Sequence, residues 1–237
     1  MIPKIIHYSW ISSDPYPEKI QRCIDSWKEK LPDYQFINWN RDTFDFDSSQ
    51  WLQEAYSEKN WAYCSDYLRI YALYHYGGIW LDTDVEVLKS FNDLLKLPYF
   101  IGEEARDIET DNEYYGIEAA TMGFEKHNIL IGTILNWYRS NSYFELKDNI
   151  FEYTLPKILF KTIKYLYKNI NNSIENVDEI TYNDTSINIL HMCYFSPRAW
   201  KYNGELWFTK ENEMTYSIHH FNGGWVSDEM KKQLQFL

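Results

Sequence analysis

Apolar residues recur along this chain with two periods, and the switches between them predict alternating strands and helices. Pro3 to Trp10 is a mostly apolar run of strand length. Asp14-Pro15-Tyr16-Pro17 breaks it, and Pro17 suits the first turn of a helix. Over Glu18 to Lys30 the residues Ile20, Cys23, Ile24 and Trp27, with Leu31 just beyond, fall at helical spacing. Tyr34 to Trp39 predicts a second strand and Trp51 to Tyr56 a short helix. Asn60 to Tyr76 predicts a longer helix, closed by Gly77-Gly78. It is apolar nearly all round, which marks a buried helix, yet it carries Asp66 and Arg69 three residues apart. Ile79 to Val87 then predicts one central strand running through Asp82 and Asp84.

Beyond residue 98 the pattern is less regular. Tyr99 to Gly102 predicts a strand, Glu103 to Tyr115 an acidic loop, Ile117 to Met122 a strand and Ile129 to Tyr138 a helix. Pro156 to Ile170 reads as a basic amphipathic helix, with Lys157, Lys161, Lys164 and Lys168 interleaved with aliphatic and aromatic residues. Ile189 to Tyr194 and Tyr216 to Phe221 predict late strands. The early alternation implies a parallel sheet with helices on its faces, and the irregular later part suggests a mixed α/β fold, a mixed sheet flanked by helices. In such sheets ligands sit outside the carboxyl ends of strands, where Asp82 and Asp84 fall.

Composition narrows the function. A length of 237 residues is enough for one sizeable core, and no linker, repeat or low-complexity tract divides it. Aromatic residues make up 19%, which suits a ring-rich core and also platforms for sugars or bases. A net charge of −12 argues against general nucleic-acid binding. Cys23, Cys64 and Cys193 are scattered and odd in number, which disfavours a disulfide framework or a zinc site and fits a reducing compartment. Met1 to Ile5 has no signal-peptide apolar region, and no stretch approaches the roughly 20 apolar residues of a membrane span. The expected location is cytoplasmic, with peripheral contact at the inner membrane face through 156–170. The bland alternative for that segment is an ordinary surface helix with a lysine face.

The chemistry concentrates at Asp82 and Asp84. Hard cations such as Mn²⁺ or Mg²⁺ take carboxylate oxygens and keep positions open for phosphate oxygens. Acid pairs in turns also cap backbone groups. A Gly-Gly stop and an Ile-Trp-Leu strand aimed at the pair favour the metal reading. Asp66 and Arg69 either pair internally or face the same cleft.

Four blocks together resemble the DXD-containing sugar-binding glycosyltransferases. These include fungal initiating α-1,6-mannosyltransferases and bacterial capsule and lipopolysaccharide enzymes, with the glucosylating domain of large clostridial cytotoxins as a more distant likeness. The blocks are Ile2-Pro3-Lys4-Ile5-Ile6-His7-Tyr8-Ser9-Trp10, Ser65-Asp66-Tyr67-Leu68-Arg69-Ile70-Tyr71-Ala72-Leu73, Tyr76-Gly77-Gly78-Ile79-Trp80-Leu81-Asp82-Thr83-Asp84 and His219-His220-Phe221-Asn222-Gly223-Gly224-Trp225.

The resemblance implies a GT-A fold with a Rossmann-like sheet, an irregular acceptor-binding part and a C-terminal lid. It implies one domain over 1–237, with a nucleotide-sugar half at 1–102, an acceptor side at 103–210 and the lid at 211–237. The implied activity is retaining, Mn²⁺- or Mg²⁺-dependent transfer of a hexose from a nucleotide-sugar donor. A UDP-sugar is expected first and GDP-mannose second. The acceptor is an oligosaccharide, lipid-linked in one version, in surface polysaccharide or lipopolysaccharide synthesis. Tyr8, Ser9 and Trp10 would line the donor, with Trp10 against the base. Ser65, Asp66 and Arg69 would hold sugar and diphosphate, and Trp80 would lie near the ribose. Asp82 would face the ribose or sugar and the metal, and Thr83 would contact the donor. Asp84 and His220 would complete the metal set, and Trp225 would close over the diphosphate. Catalytic weight falls on Asp66, Arg69 and Asp82, and Glu103 and Glu118 are acceptor-side candidates.

Two positions depart from the family pattern. Gly224 stands where serine is usual, and Gly116 to Ala120 replaces a segment that often holds asparagine. The rival readings are a metal-dependent nucleotidyl- or phosphotransferase, a non-catalytic carbohydrate-binding module and a toxin-like protein glycosyltransferase. The first would share the acid pair, but the chain has no P-loop.

Overall fold

Seven strands form one sheet in the order β2-β1-β3-β6-β5-β8-β7. The structure is a computed structural model that describes residues 1–104, 116–200 and 206–221. The chain begins with β1 (Ile5–Tyr8), α1 (Glu18–Lys30), β2 (Gln35–Asn38), α2 (Gln50–Ser57) and α3 (Trp61–Tyr76). It continues through β3 (Gly78–Leu81), β4 (Val85–Val87), β5 (Tyr99–Glu103), β6 (Ile117–Phe124) and α4 (Ile129–Arg139). After the short α5 (Tyr143–Leu146) come α6 (Leu155–Leu166), β7 (Asn169–Ile174) and β8 (Ser186–Leu190). A hairpin of β9 (Arg198–Trp200) and β10 (Leu206–Thr209) precedes β11 (Ser217–His219).

Strands β2, β1 and β3 run parallel, β6 is antiparallel to both β3 and β5, and β5, β8 and β7 run parallel to one another. The sheet is therefore mixed, as the irregular later part of the sequence suggested, with β6 supplying the antiparallel pairings. Strands from both 1–102 and 103–210 enter it, so these two regions share one sheet. Alternation along the strands divides the core. Ile79 and Leu81 pack with Trp27 and Leu31 of the α1 side. Trp80 packs on the opposite face with Leu68, Leu73 and the residues of α4 and α6.

The turn from α3 into β3 depends on glycine. Gly77 and Gly78 have φ of 65° and 104°, and a Cβ on Gly78 would lie 2.6 Å from the carbonyl oxygen of Ile5. Only glycine lets the helix drop into the strand so close beside β1.

Two expectations are corrected. The strand expected over Ile79 to Val87 is two strands, because Val85 N–H bonds the Asp82 carbonyl at 3.0 Å and turns the chain between the acids. β4 then leaves the main sheet and pairs with β11. The basic helix ends at Leu166, and Lys168 lies beyond it, because the chain turns into the polar strand β7. The acidic loop lies outside the described residues from 105 to 115, and most of the expected lid, including Trp225, lies outside them from 222 onward. No helix among the described residues is long and apolar enough to cross a membrane.

Candidate active site

The site forms where β3 ends. Trp80 and Asp82 are two residues apart and fall on the same side of the chain, toward α3. The backbone of Asp82 is fixed by its N–H bond to the Ala120 carbonyl at 2.9 Å. Its side chain is held through Oδ1, which accepts from the Trp80 indole at 2.7 Å and from Arg69 Nη2 at 2.8 Å. The indole of Trp80 is fully buried, with the Arg69 guanidinium 5.2 Å from its ring centre. Trp80 therefore acts on the site by holding Asp82, and burial keeps it from the ribose contact expected of it.

Arg69 is 4% exposed and bonds the Ala119 carbonyl at 2.5 Å. Its Nη2 also lies 3.4 Å from Asp66. Arg69 thus pairs internally with Asp66 while it also holds Asp82. Arg69 orients acids from beneath the site. Asp66 also accepts the backbone N–H of Leu155 at 3.4 Å, which ties the first turn of α6 to the site. Burial pushes the Asp66 carboxyl up to about 6, with Arg69 opposing and Asp82 adding to the rise. Asp82 is also raised, chiefly by burial, against the pull of Arg69 and with a contribution from Asp84.

The third donor comes from the C-terminal region. β11 pairs antiparallel to β4 with His219 opposite Val85, beside Asp84. One ligand atom each from Asp82, Asp84 and His219 lies within 4.8 Å of the others. His219 Nε2 is 3.5 Å from Asp84 Oδ1, and its Nδ1 is 3.5 Å from Glu118 Oε2. Burial alone would lower the His219 pKa, but the Glu118 and Asp84 carboxylates overcome it and raise it well above the ordinary imidazole range. Two carboxylates and an imidazole suit a borderline cation such as Mn²⁺. These residues fit a divalent cation.

The structure brings His219, rather than the expected His220, to the acid pair. His220 points to the other side of β11, where Nε2 lies 2.9 Å from Glu86. Adjacent strand residues face opposite sides, so a one-residue shift in reading exchanges the two histidines. Thr83 occupies the turn between the acids, and Ser65 is half-buried on α3 beside Asp66. Tyr8, Ser9 and Trp10 lie at the carboxyl end of β1, on the same end of the sheet as Asp82. Ser9 Oγ bonds the Trp39 carbonyl at 2.8 Å, and the Trp10 ring meets Tyr16 edge-on at 5.1 Å.

The acceptor-side candidates are corrected. Glu103 is 7% exposed and accepts from both the N–H and the hydroxyl of Ser173, so it closes the end of β7. Glu118 is 2% exposed and faces His219 from within β6. Neither carboxylate is presented to an acceptor.

Residues 17–101 match the glycosyltransferase sugar-binding region containing the DXD motif. The chain is 29% identical over 174 residues to inositol phosphoceramide mannosyltransferase 1 of Schizosaccharomyces pombe, covering 70% of this chain and 52% of that protein. It is 29% identical over 187 residues to mannosyl phosphorylinositol ceramide synthase CSH1 of Saccharomyces cerevisiae, covering 74% and 46%. PaToxG glycosyltransferase shares the fold with a TM-score of 0.53 at 22% identity over 69% of each chain. The mixed sheet with its site at the end of β3 is of the GT-A type. The chain thus carries a glycosyltransferase sugar-binding region with the DXD motif over residues 17–101, and over a longer span it is similar to fungal mannosyltransferases. It spans about half the length of the curated relatives it matches.

Proposed function

We propose that this chain transfers a hexose from a nucleotide-sugar donor to a glycolipid or oligosaccharide acceptor with retention of configuration. The observation that carries the reading is the convergence of Asp82, Asp84 and His219 within 4.8 Å at the carboxyl end of β3. Asp82, Asp84 and His219 would hold Mn²⁺ or Mg²⁺, which supplies charge stabilisation for a departing diphosphate. The printed names of the relatives speak for mannose as the sugar and a ceramide-linked inositol phosphate as a model acceptor. That moves GDP-mannose ahead of the UDP-sugar favoured from sequence alone.

The residues of this chain have separable tasks in that reading. Trp80 and Arg69 hold Asp82 in one orientation, so the site is set before the donor arrives. Asp66, on the opposite side of Arg69, orients sugar hydroxyls beside the first turn of α6. Tyr8, Ser9 and Trp10 at the end of β1 form the wall on which the nucleotide base rests. We favour front-face substitution. The bond from the anomeric carbon to the diphosphate oxygen breaks, the acceptor oxygen bonds that carbon on the same face, and the acceptor proton passes to the departing phosphate. A glycosyl–protein adduct in the mass spectrum of intact protein incubated with donor would contradict this route.

Membrane contact through α6 takes a restricted form here. Leu155, Ile158, Leu159 and Ile163 are buried in the core, so the apolar face of the helix is not available to a bilayer. The lysine face remains, and the proposed contact is electrostatic, placing a cytoplasmic enzyme against an anionic leaflet.

A thermal-shift panel of nucleotide sugars, each with and without Mn²⁺, tests the function. A selective, Mn²⁺-dependent rise in melting temperature with one donor, GDP-mannose first, is the expected result. A panel with no donor response, or one in which Mn²⁺ changes nothing, would overturn the reading.

A further inference from the structure

We propose that Glu118 is the positioning residue for His219, fixing the imidazole so that Nε2 faces the cation held with Asp82 and Asp84; this rests on the metal-site reading above. A histidine ligates through an unprotonated ring nitrogen, so a ring that binds through Nε2 must carry its hydrogen on Nδ1. Something has to accept that hydrogen and set the ring's rotation. Glu118 Oε2 lies 3.5 Å from His219 Nδ1, while Nε2 on the other side of the ring lies 3.5 Å from Asp84 Oδ1.

Glu118 Oε2 and His219 Nδ1 are both buried, and neither has a hydrogen-bond partner within ordinary distance among the described residues. They face each other, a few tenths of an ångström beyond a good bond. The rest of the carboxylate is already pinned, because Oε1 accepts the N–H of Ala120 at 2.6 Å. That bond leaves Oε2 turned toward the ring. The ring plane is held by Phe221, stacked at 3.9 Å between centroids. The two strands are held to each other by the Thr121 and Ser217 hydroxyls, 3.1 Å apart.

β6 is buried at every position from Ile117 to Phe124, and Glu118 is the one ionisable residue in it. A carboxylate in such a strand carries a large desolvation cost unless a partner compensates it. The nearby imidazole is that partner. A carboxylate that accepts from the far nitrogen of a ligating histidine is a recurrent arrangement, and losing it weakens metal binding by about 10- to 100-fold.

The test is calorimetric titration of Mn²⁺ into the full chain and into Glu118→Gln and Asp84→Ala. Glutamine keeps the shape, but its amide can donate as well as accept, so it no longer dictates which nitrogen carries the hydrogen. Glu118→Gln is expected to bind Mn²⁺ about 10- to 100-fold more weakly while melting near the wild type in EDTA. If wild type binds no Mn²⁺, the metal-site reading itself fails. If wild type binds and Glu118→Gln binds equally well, the role of Glu118 alone is overturned. Should Glu118→Gln not fold, long-range ¹H–¹⁵N spectra of Mg²⁺-loaded wild type decide it. His219 with hydrogen on Nδ1 supports the proposal, and hydrogen on Nε2 overturns it.

Discussion

The indole N–H of Trp80 donates to Oδ1 of Asp82 at 2.7 Å, from a ring that no solvent reaches. The bond converts a core residue into part of the site. Trp80→Phe keeps most of the volume and removes the donor. It is expected to cost about 1–2 kcal/mol in urea unfolding and to weaken Mn²⁺ binding several-fold, since Arg69 still holds the same oxygen. Unchanged Mn²⁺ affinity would show that the indole does not orient Asp82.

Arg69 is the larger element of the same support. It is buried against Asp66, Asp82 and the Ala119 carbonyl, and removing it leaves two acids without their cation. Arg69→Met is expected to lose about 3–5 kcal/mol of stability in urea unfolding at neutral pH. A loss under about 1 kcal/mol, the scale of an exposed pair, would mean the pair is effectively solvated.

His7 gives the fold a defined acid sensitivity. The Trp39 indole donates to Nδ1 at 3.1 Å and Nε2 donates to the Gly77 carbonyl at 2.8 Å, which fits the neutral ring. Burial lowers the His7 pKa from 6.5 to about 4, against the bond to Gly77. The unfolded chain therefore binds the proton more readily. The contribution of His7 is fully present above about pH 6.5 and is lost as pH falls toward 4, up to about 3 kcal/mol. Asp66 acts with the opposite sign, because its raised carboxyl favours the folded state at low pH and loses that contribution as pH rises from 3.8 to about 6. The comparison must be against His7→Gln. Its stability is expected to fall less steeply than that of wild type between pH 6.5 and 4, and parallel curves would rule the mechanism out.

Vesicle sedimentation checks the lysine face of α6. Lys157 pairs with Glu152 at 2.9 Å and Lys161 bonds the Glu152 carbonyl at 3.2 Å, so the attraction is modest. Full chain is expected to co-sediment with phosphatidylserine vesicles at low salt, to release at about 0.5 M salt, and to lose binding in the Lys157→Gln, Lys161→Gln, Lys164→Gln triple variant. Binding that survives salt, or that neutral vesicles support equally, would contradict an electrostatic contact.

Much of this site is visible in the sequence for definite reasons. The helical spacing of α3, its Gly-Gly stop and the acids two residues apart fix Asp66, Arg69, Asp82 and Asp84 relative to one another through local geometry alone. The choice between His219 and His220 is not local. It depends on the pairing of β11 with β4, which no pattern near residue 219 announces. The break between β3 and β4 was hidden because valines follow the acids and mimic a continuing strand. β7 was hidden because Asn169 to Ile174 is half polar, as an edge strand permits. Glu118 did carry a signal: a single acid inside an apolar strand requires a buried partner.

The most direct measurement is release of nucleoside diphosphate from GDP-mannose and from UDP-hexoses by the full chain, in Mn²⁺ and in EDTA, beside Asp84→Ala. The account predicts release from one donor that requires the cation and falls about a hundredfold or more in Asp84→Ala. Release that continues in EDTA, or an Asp84→Ala protein as active as wild type, would contradict a metal-held donor at the end of β3.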